Sequence, residues 1–190
     1  MTIHSMRACD HSSGAATLSA QTYRSSPQSQ TSVNWPYIHT LVNHFPIILS
    51  VVGTAVLVLA FITGRRGVWL YAVATLTLAG LSVYPAFYSG DAAAHALRNT
   101  WYVVHAMVEE HDDAAGFALA SLLIAGAINA YVWWRLVRRD VAALPPRWLR
   151  VVVLLVSLWA VSVVARTAYL GGKIVHESPK LAAPPTAPGT

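Results

Sequence analysis

The chain has 190 residues, of which 55% are hydrophobic and 11% charged, with a formal net charge of +5. That composition is too apolar for an ordinary soluble domain and suits one small membrane-embedded bundle. The excess of positive charge does not point to a nucleic-acid partner, because the arginines lie within a few residues of the ends of apolar runs, where anionic lipid headgroups satisfy them. The single cysteine, Cys9, excludes an internal disulfide.

From the N-terminus, residues 1–34 are rich in Ser, Thr and Gln and are expected to be a disordered tail without the apolar core of a signal peptide. Four apolar runs follow, at 45–63, 68–88, 114–136 and 148–170. Each approaches the roughly 20 residues that a helix needs to cross a hydrocarbon core. The expected fold is therefore all-α, a four-helix transmembrane bundle over 35–177, followed by a Pro-rich disordered tail over 178–190.

Charge sets the expected orientation. Arg65 and Arg66 occupy the first short loop, and Arg135, Arg138, Arg139, Arg147 and Arg150 occupy or flank the third, so seven of the thirteen basic residues crowd these two loops. The positive-inside rule places the loops in the cytoplasm and puts both termini, the 89–113 loop and all eight histidines on the extracytoplasmic side of a bacterial inner membrane. Trp35 and Trp101 then mark the outer interface, and Trp69, Trp133, Trp134 and Trp148 the inner one. Pro46 falls in the first turn of its helix, where a missing N–H costs little, and Pro85 is expected to kink or end the second helix. Gly116 with Ala120, and Gly126 with Ala130, form small-xxx-small pairs that favour close helix approach.

Chemistry, on this reading, gathers at the histidine end. His39 and His44 open the first span, His95, His105 and His111 come from the connecting loop, and His176 ends the last span. At about 100° per residue, His39 and His44 are about 140° apart on a continuous helix and cannot be assumed to share a ligand; His44 is the inward candidate. His105 and Glu109, four apart, share a face if their segment is helical. Asp112 and Asp113 are suited to capping the third span. Arg166 sits inside the fourth apolar run, where it must either snorkel or pair with Asp91, Glu109 or an anionic cofactor.

The stretch from His39 through His44-Phe45-Pro46-Ile47, the acidic segment around His111, and Gly171-Gly172 running to Val175-His176 resemble a bacterial family of predicted membrane proteins catalogued as domain of unknown function 2231. The resemblance covers residues 37–177 and implies a four-helix membrane domain with recurrent histidines, in a family sometimes associated with respiratory or cytochrome-containing proteins. The chain departs from the family's usual glycine-containing ending at Glu177-Ser178-Pro179.

The leading functional expectation is a membrane subunit holding b-type haem for electron transfer, with His44 and His111 as axial ligands, His176 as substitute, and Arg166 and Lys173 for the propionates. No Cys-x-x-Cys-His sequence is present for covalent attachment. A second expectation is a Zn, Cu or Fe site drawn from His39, His44, His105, Glu109 and His111. A third is a non-catalytic accessory subunit, without cofactor, packed in a larger respiratory, photosynthetic or transport complex. No nucleophile triad, phosphate loop or transporter-type repeat is recognised, and independent enzymatic activity is not expected.

Overall fold

The computed structural model describes residues 33–138 and 144–181; most of the expected tails (1–34 and 178–190) and the middle of the 137–147 loop lie outside the described residues, while Ser178–Leu181, expected in the disordered tail, is a short helix with Ser178 buried. Among the described residues six helices follow one another: α1 (Trp35–Val42), α2 (His44–Thr63), α3 (Arg66–Leu97), α4 (His105–Arg138), α5 (Arg147–His176) and α6 (Ser178–Leu181). With α1 and α2 taken as one span, four helices are long and apolar enough to cross a membrane. Hydrocarbon offers no water for unpaired peptide groups, so a helix, which satisfies its own backbone, is the form these runs must take.

The helices overrun the apolar segments that mark them. At about 1.5 Å per residue, the 30 to 34 residues of α3, α4 and α5 reach about 45–51 Å, against a hydrocarbon core of about 30 Å. Most of the excess lies at the histidine end, where α3 continues past residue 88 to Leu97 and α4 begins at His105 rather than near 114. Hydropathy registers the lipid-facing length only, whereas helical propensity, as in Ala92-Ala93-Ala94, carries the backbone further. Asp112 and Asp113 consequently lie two turns inside α4 and cap nothing.

The prolines act differently from one another. Pro46 has no N–H for the Val42 carbonyl, and the first span is interrupted at Asn43 between α1 and α2. Pro85 lies inside α3, which continues for twelve more residues and is not terminated there. At the N-terminus of α1, the Asn34 side chain accepts the Tyr37 N–H at 3.2 Å. Gly64, with φ of 64°, closes α2 in the left-handed conformation and turns the chain back into α3.

The spans form a closed ring in which α2 packs on α3, α3 on α4, α4 on α5 and α5 on α2, while α1 leans on α3. Bulk faces outward: Ile62, Leu81, Phe117 and Trp159 are exposed, whereas Ala60, Ala79, Ala118, Ala125 and Ala160 are buried. Lipid is as apolar as leucine, so association depends on close packing and polar ties. Such a tie joins α4 to α5, where buried Asn129 donates to the Ala125 carbonyl at 2.8 Å and to the Ser157 hydroxyl at 3.3 Å. Trp69 is fully buried in the core at the arginine end and is no part of an interfacial belt, although Trp133, Trp134 and Trp148 are exposed there.

The tightest approach is between α3 and α4. A Cβ on Gly80 would stand 2.8 Å from the Gly126 Cα, and one on Gly126 2.9 Å from the Gly80 Cα. Gly126 is thus at a helix interface as its spacing suggested, whereas Gly116 is exposed with nothing near its missing Cβ. Gly80→Val or Gly126→Val should cost at least about 1–3 kcal/mol, since the obstacle is backbone. Thermal unfolding in detergent checks this; Gly116→Val should melt with the parent.

Candidate functional site

Two histidines turn inward at the end of the bundle away from the arginines. His39, on α1, and His111, on α4, are half-buried, while His44, His95, His105 and His176 are exposed. Each inward ring meets a backbone carbonyl of a neighbouring helix through Nδ1. His39 lies 3.1 Å from the Ala86 oxygen on α3, and His111 lies 3.1 Å from the Thr167 oxygen on α5. A carbonyl can only accept, so Nδ1 carries the proton in both rings, and in the neutral form the Nε2 lone pair is uncommitted.

The resemblance between the two contacts extends to packing. A Cβ built on Gly90 would stand 2.9 Å from Cε1 of His39, and one on Gly171 would stand 3.1 Å from Cε1 of His111. In each case the glycine is four residues beyond the accepting carbonyl, so the ring spans one helical turn, hydrogen-bonded at one end and close to a bare backbone at the other. A Cβ at Gly90 would force the His39 ring to shift, and one at Gly171 would press on the His111 ring, which would have to give by a few tenths of an ångström. Polar neighbours differ: the Ser89 hydroxyl is 3.2 Å from Nδ1 of His39, whereas the Thr167 hydroxyl donates across to the Ala114 carbonyl on α4 at 3.1 Å.

The remaining candidates are distributed around this pair. His44 is exposed and its Nδ1 is bonded to the Thr40 carbonyl of the preceding turn, so the structure does not bring it together with His111. Asn43 keeps helical dihedrals, so His39 and His44 remain on different faces of one span, and α1, packing chiefly on α3, presents His39 there and leaves His44 outside. His105 and Glu109 are both exposed on the first turns of α4. Among the described residues, no three His, Cys, Asp or Glu side chains group to hold a metal ion. His95 is helical, in the last turn of α3, and its Nε2 lies 3.6 Å from the Asp91 carboxylate.

The cations at this end are Arg98 just beyond α3, Arg166 and Lys173 on α5, and Lys180 on α6. Arg166 is exposed, and the ion pairs among the described residues are those of His95 with Asp91 and Lys173 with Glu177, the latter at 4.0 Å. Lys173, Gly172, Tyr169 and His176 line a shallow groove of about 260 Å³ on the outside of α5. At the opposite end, Arg66 donates to the Leu136 carbonyl, and Arg135 and Arg138 lie over the rings of Tyr131 and Trp134 at 5.8 and 5.7 Å. These guanidinium groups are held by π faces and helix ends.

The geometry predicts unusual tautomers. In nitrogen-15 spectra of histidine-labelled protein at neutral or higher pH, His39 and His111 should be protonated at Nδ1, while His95, facing a carboxylate through Nε2, should be protonated at Nε2. Nε2–H signals from His39 and His111 would contradict the hydrogen bonds. No family model matches the sequence, and comparison with curated proteins and with solved structures likewise gives no match.

Proposed function

We propose that the protein is a small membrane subunit that binds b-type haem through His39 and His111 and takes part in electron transfer. The observation that carries this reading is the matched pair of Nδ1 contacts to carbonyls of neighbouring helices. Ligating histidines commonly give the other ring N–H to a carbonyl, which fixes the tautomer, orients the ring and makes Nε2 a better donor. The donor count favours a porphyrin, which brings four nitrogens of its own and needs two protein ligands, whereas zinc sites draw on three or four. The two imidazoles come from different helices, as ligation on opposite faces of one ring requires.

The protein's part in this function is positional. The Ala86 and Thr167 carbonyls keep both Nε2 atoms unprotonated, and the surrounding helices hold the rings against rotation. Such a group, when bound, exchanges single electrons at iron. Lys173 and Arg166, on the same end of α5, are the cations available to its carboxylates. The arginine end is taken as cytoplasmic by the positive-inside rule, which puts this site and both termini on the extracytoplasmic side of a bacterial inner membrane, beside a redox partner or larger complex.

A reduced-minus-oxidised absorption spectrum of detergent-purified protein, prepared with haem supplied, tests the proposal. Sharp Soret and alpha bands are expected, lost in His39→Ala and in His111→Ala and retained in His44→Ala and His176→Ala. A colourless parent protein would refute haem binding and leave the imidazoles as interhelical ties in an accessory subunit. Sidedness is tested separately: an introduced cysteine at Ala96, exposed at the end of α3, should react with an impermeant reagent in intact cells, and one at Ala142 should not.

A further inference from the structure

The two histidine contacts can be superposed by number, and the rest of the bundle follows. His39 and His111 are 72 residues apart; Gly90 and Gly171 are 81 apart. These offsets come from the contacts alone, yet they also align the cores. Adding 72 to each of the six buried positions of α2 lands on a buried position of α4 every time, from Pro46 on Ala118 to Ala60 on Val132. Adding 81 carries buried positions of α3 onto five of the six buried positions of α5, among them Ala79 on Ala160 and Val83 on Val164.

Helical periodicity would bring some pair of registers into phase, but here the registers were set beforehand by a histidine and a glycine. The same offsets align short identities. His39-x5-Phe45 recurs as His111-x5-Phe117, and Val83-x4-Tyr88-x-Gly90 recurs as Val164-x4-Tyr169-x-Gly171. Height agrees as well: Gly90 lies 24 residues beyond Arg66 at the start of α3, and Gly171 lies 24 beyond Arg147 at the start of α5, both about 36 Å along their helices. Since both helix pairs traverse in the same direction and the ring order closes, exchanging them amounts to a twofold rotation about the bundle axis.

We infer that residues 39–97 and 111–176 are two copies of one helical hairpin, and that Gly90 and Gly171 are equivalent positioning residues, each setting the plane of its own copy's imidazole. The inference deepens the haem reading, because ligands related by a twofold axis face one shared ligand lying on that axis. The copies have diverged away from the site. Gly80 and Gly126, which meet where α3 packs on α4, correspond to Val161 and Thr54 at the junction of α5 with α2, where contact is less extensive.

Double-substitution cycles, read as melting temperature in detergent, test the inference without depending on bound haem. Gly90→Ala should lower the melting temperature of the parent and have little effect in His39→Ala, where the obstructing ring is gone. Gly171→Ala should behave in the same way toward His111→Ala, and Gly116→Ala should be silent in every background. Additive effects within both pairs, or coupling in one pair alone, would overturn the inference, and so would unaltered melting in both glycine variants. If a single glycine variant does not fold, its recovery in the matching His→Ala background supports the contact, and failure there too counts against it. Coupling between Gly90 and His111 would add support for a shared ligand, whereas a colourless protein with coupling confined to the matched pairs would remove the haem and keep the positioning role.

Discussion

Close backbone contact between Gly80 and Gly126 is the constraint from which the rest of the arrangement follows. In a lipid environment no hydrophobic force draws apolar helices together, and their adhesion depends on how closely backbones and small side chains pack. The hairpin formed by the first span with α3 meets the hairpin of α4 and α5 at these glycines. Alanine, glycine and serine accordingly line much of the interior beside larger buried residues such as Leu57, Trp69 and Leu122, while Leu81, Phe117 and Trp159 are turned outward. That same closeness lets imidazoles on α1 and α4 reach carbonyls on α3 and α5.

The histidine end then solves a problem of polar groups near an apolar layer. An imidazole there needs a partner for its N–H, and the carbonyls of Ala86 and Thr167 supply one at 3.1 Å in each case. The arrangement leaves one nitrogen on each ring without an assigned partner, and those two lone pairs are the chemical resource of the site. The exposed histidines are different in kind. His44 is bonded within its own span and His95 faces Asp91, so neither is presented to the bundle interior.

The four spans and the sorting of charge were legible because hydropathy and arginine placement are local properties of the sequence. Helix ends were less so: α3 and α4 extend well beyond their apolar runs, since the signal in the sequence is burial in lipid rather than helicity. The preference for His44 over His39 was reversed by the face on which α1 packs against α3, a tertiary choice that helical spacing leaves open. His111 was identified, although its acidic neighbours suggested a cap that α4, starting at His105, does not need. The recurrence of His-x5-Phe and Val-x4-Tyr-x-Gly stands in the sequence itself, yet the two offsets differ by the length of a connecting segment, and a search for one fixed period passes over it.

Ligand identity is the claim on which the functional account rests, and near-infrared magnetic circular dichroism of the oxidised protein reads it directly, because the charge-transfer band of low-spin ferric haem reports its axial donors. The account predicts a bis-imidazole band in the parent protein and a histidine–methionine band in both His39→Met and His111→Met, with His44→Met unchanged. A bis-imidazole band that persists in His39→Met or His111→Met would place the ligands elsewhere and contradict the site described above.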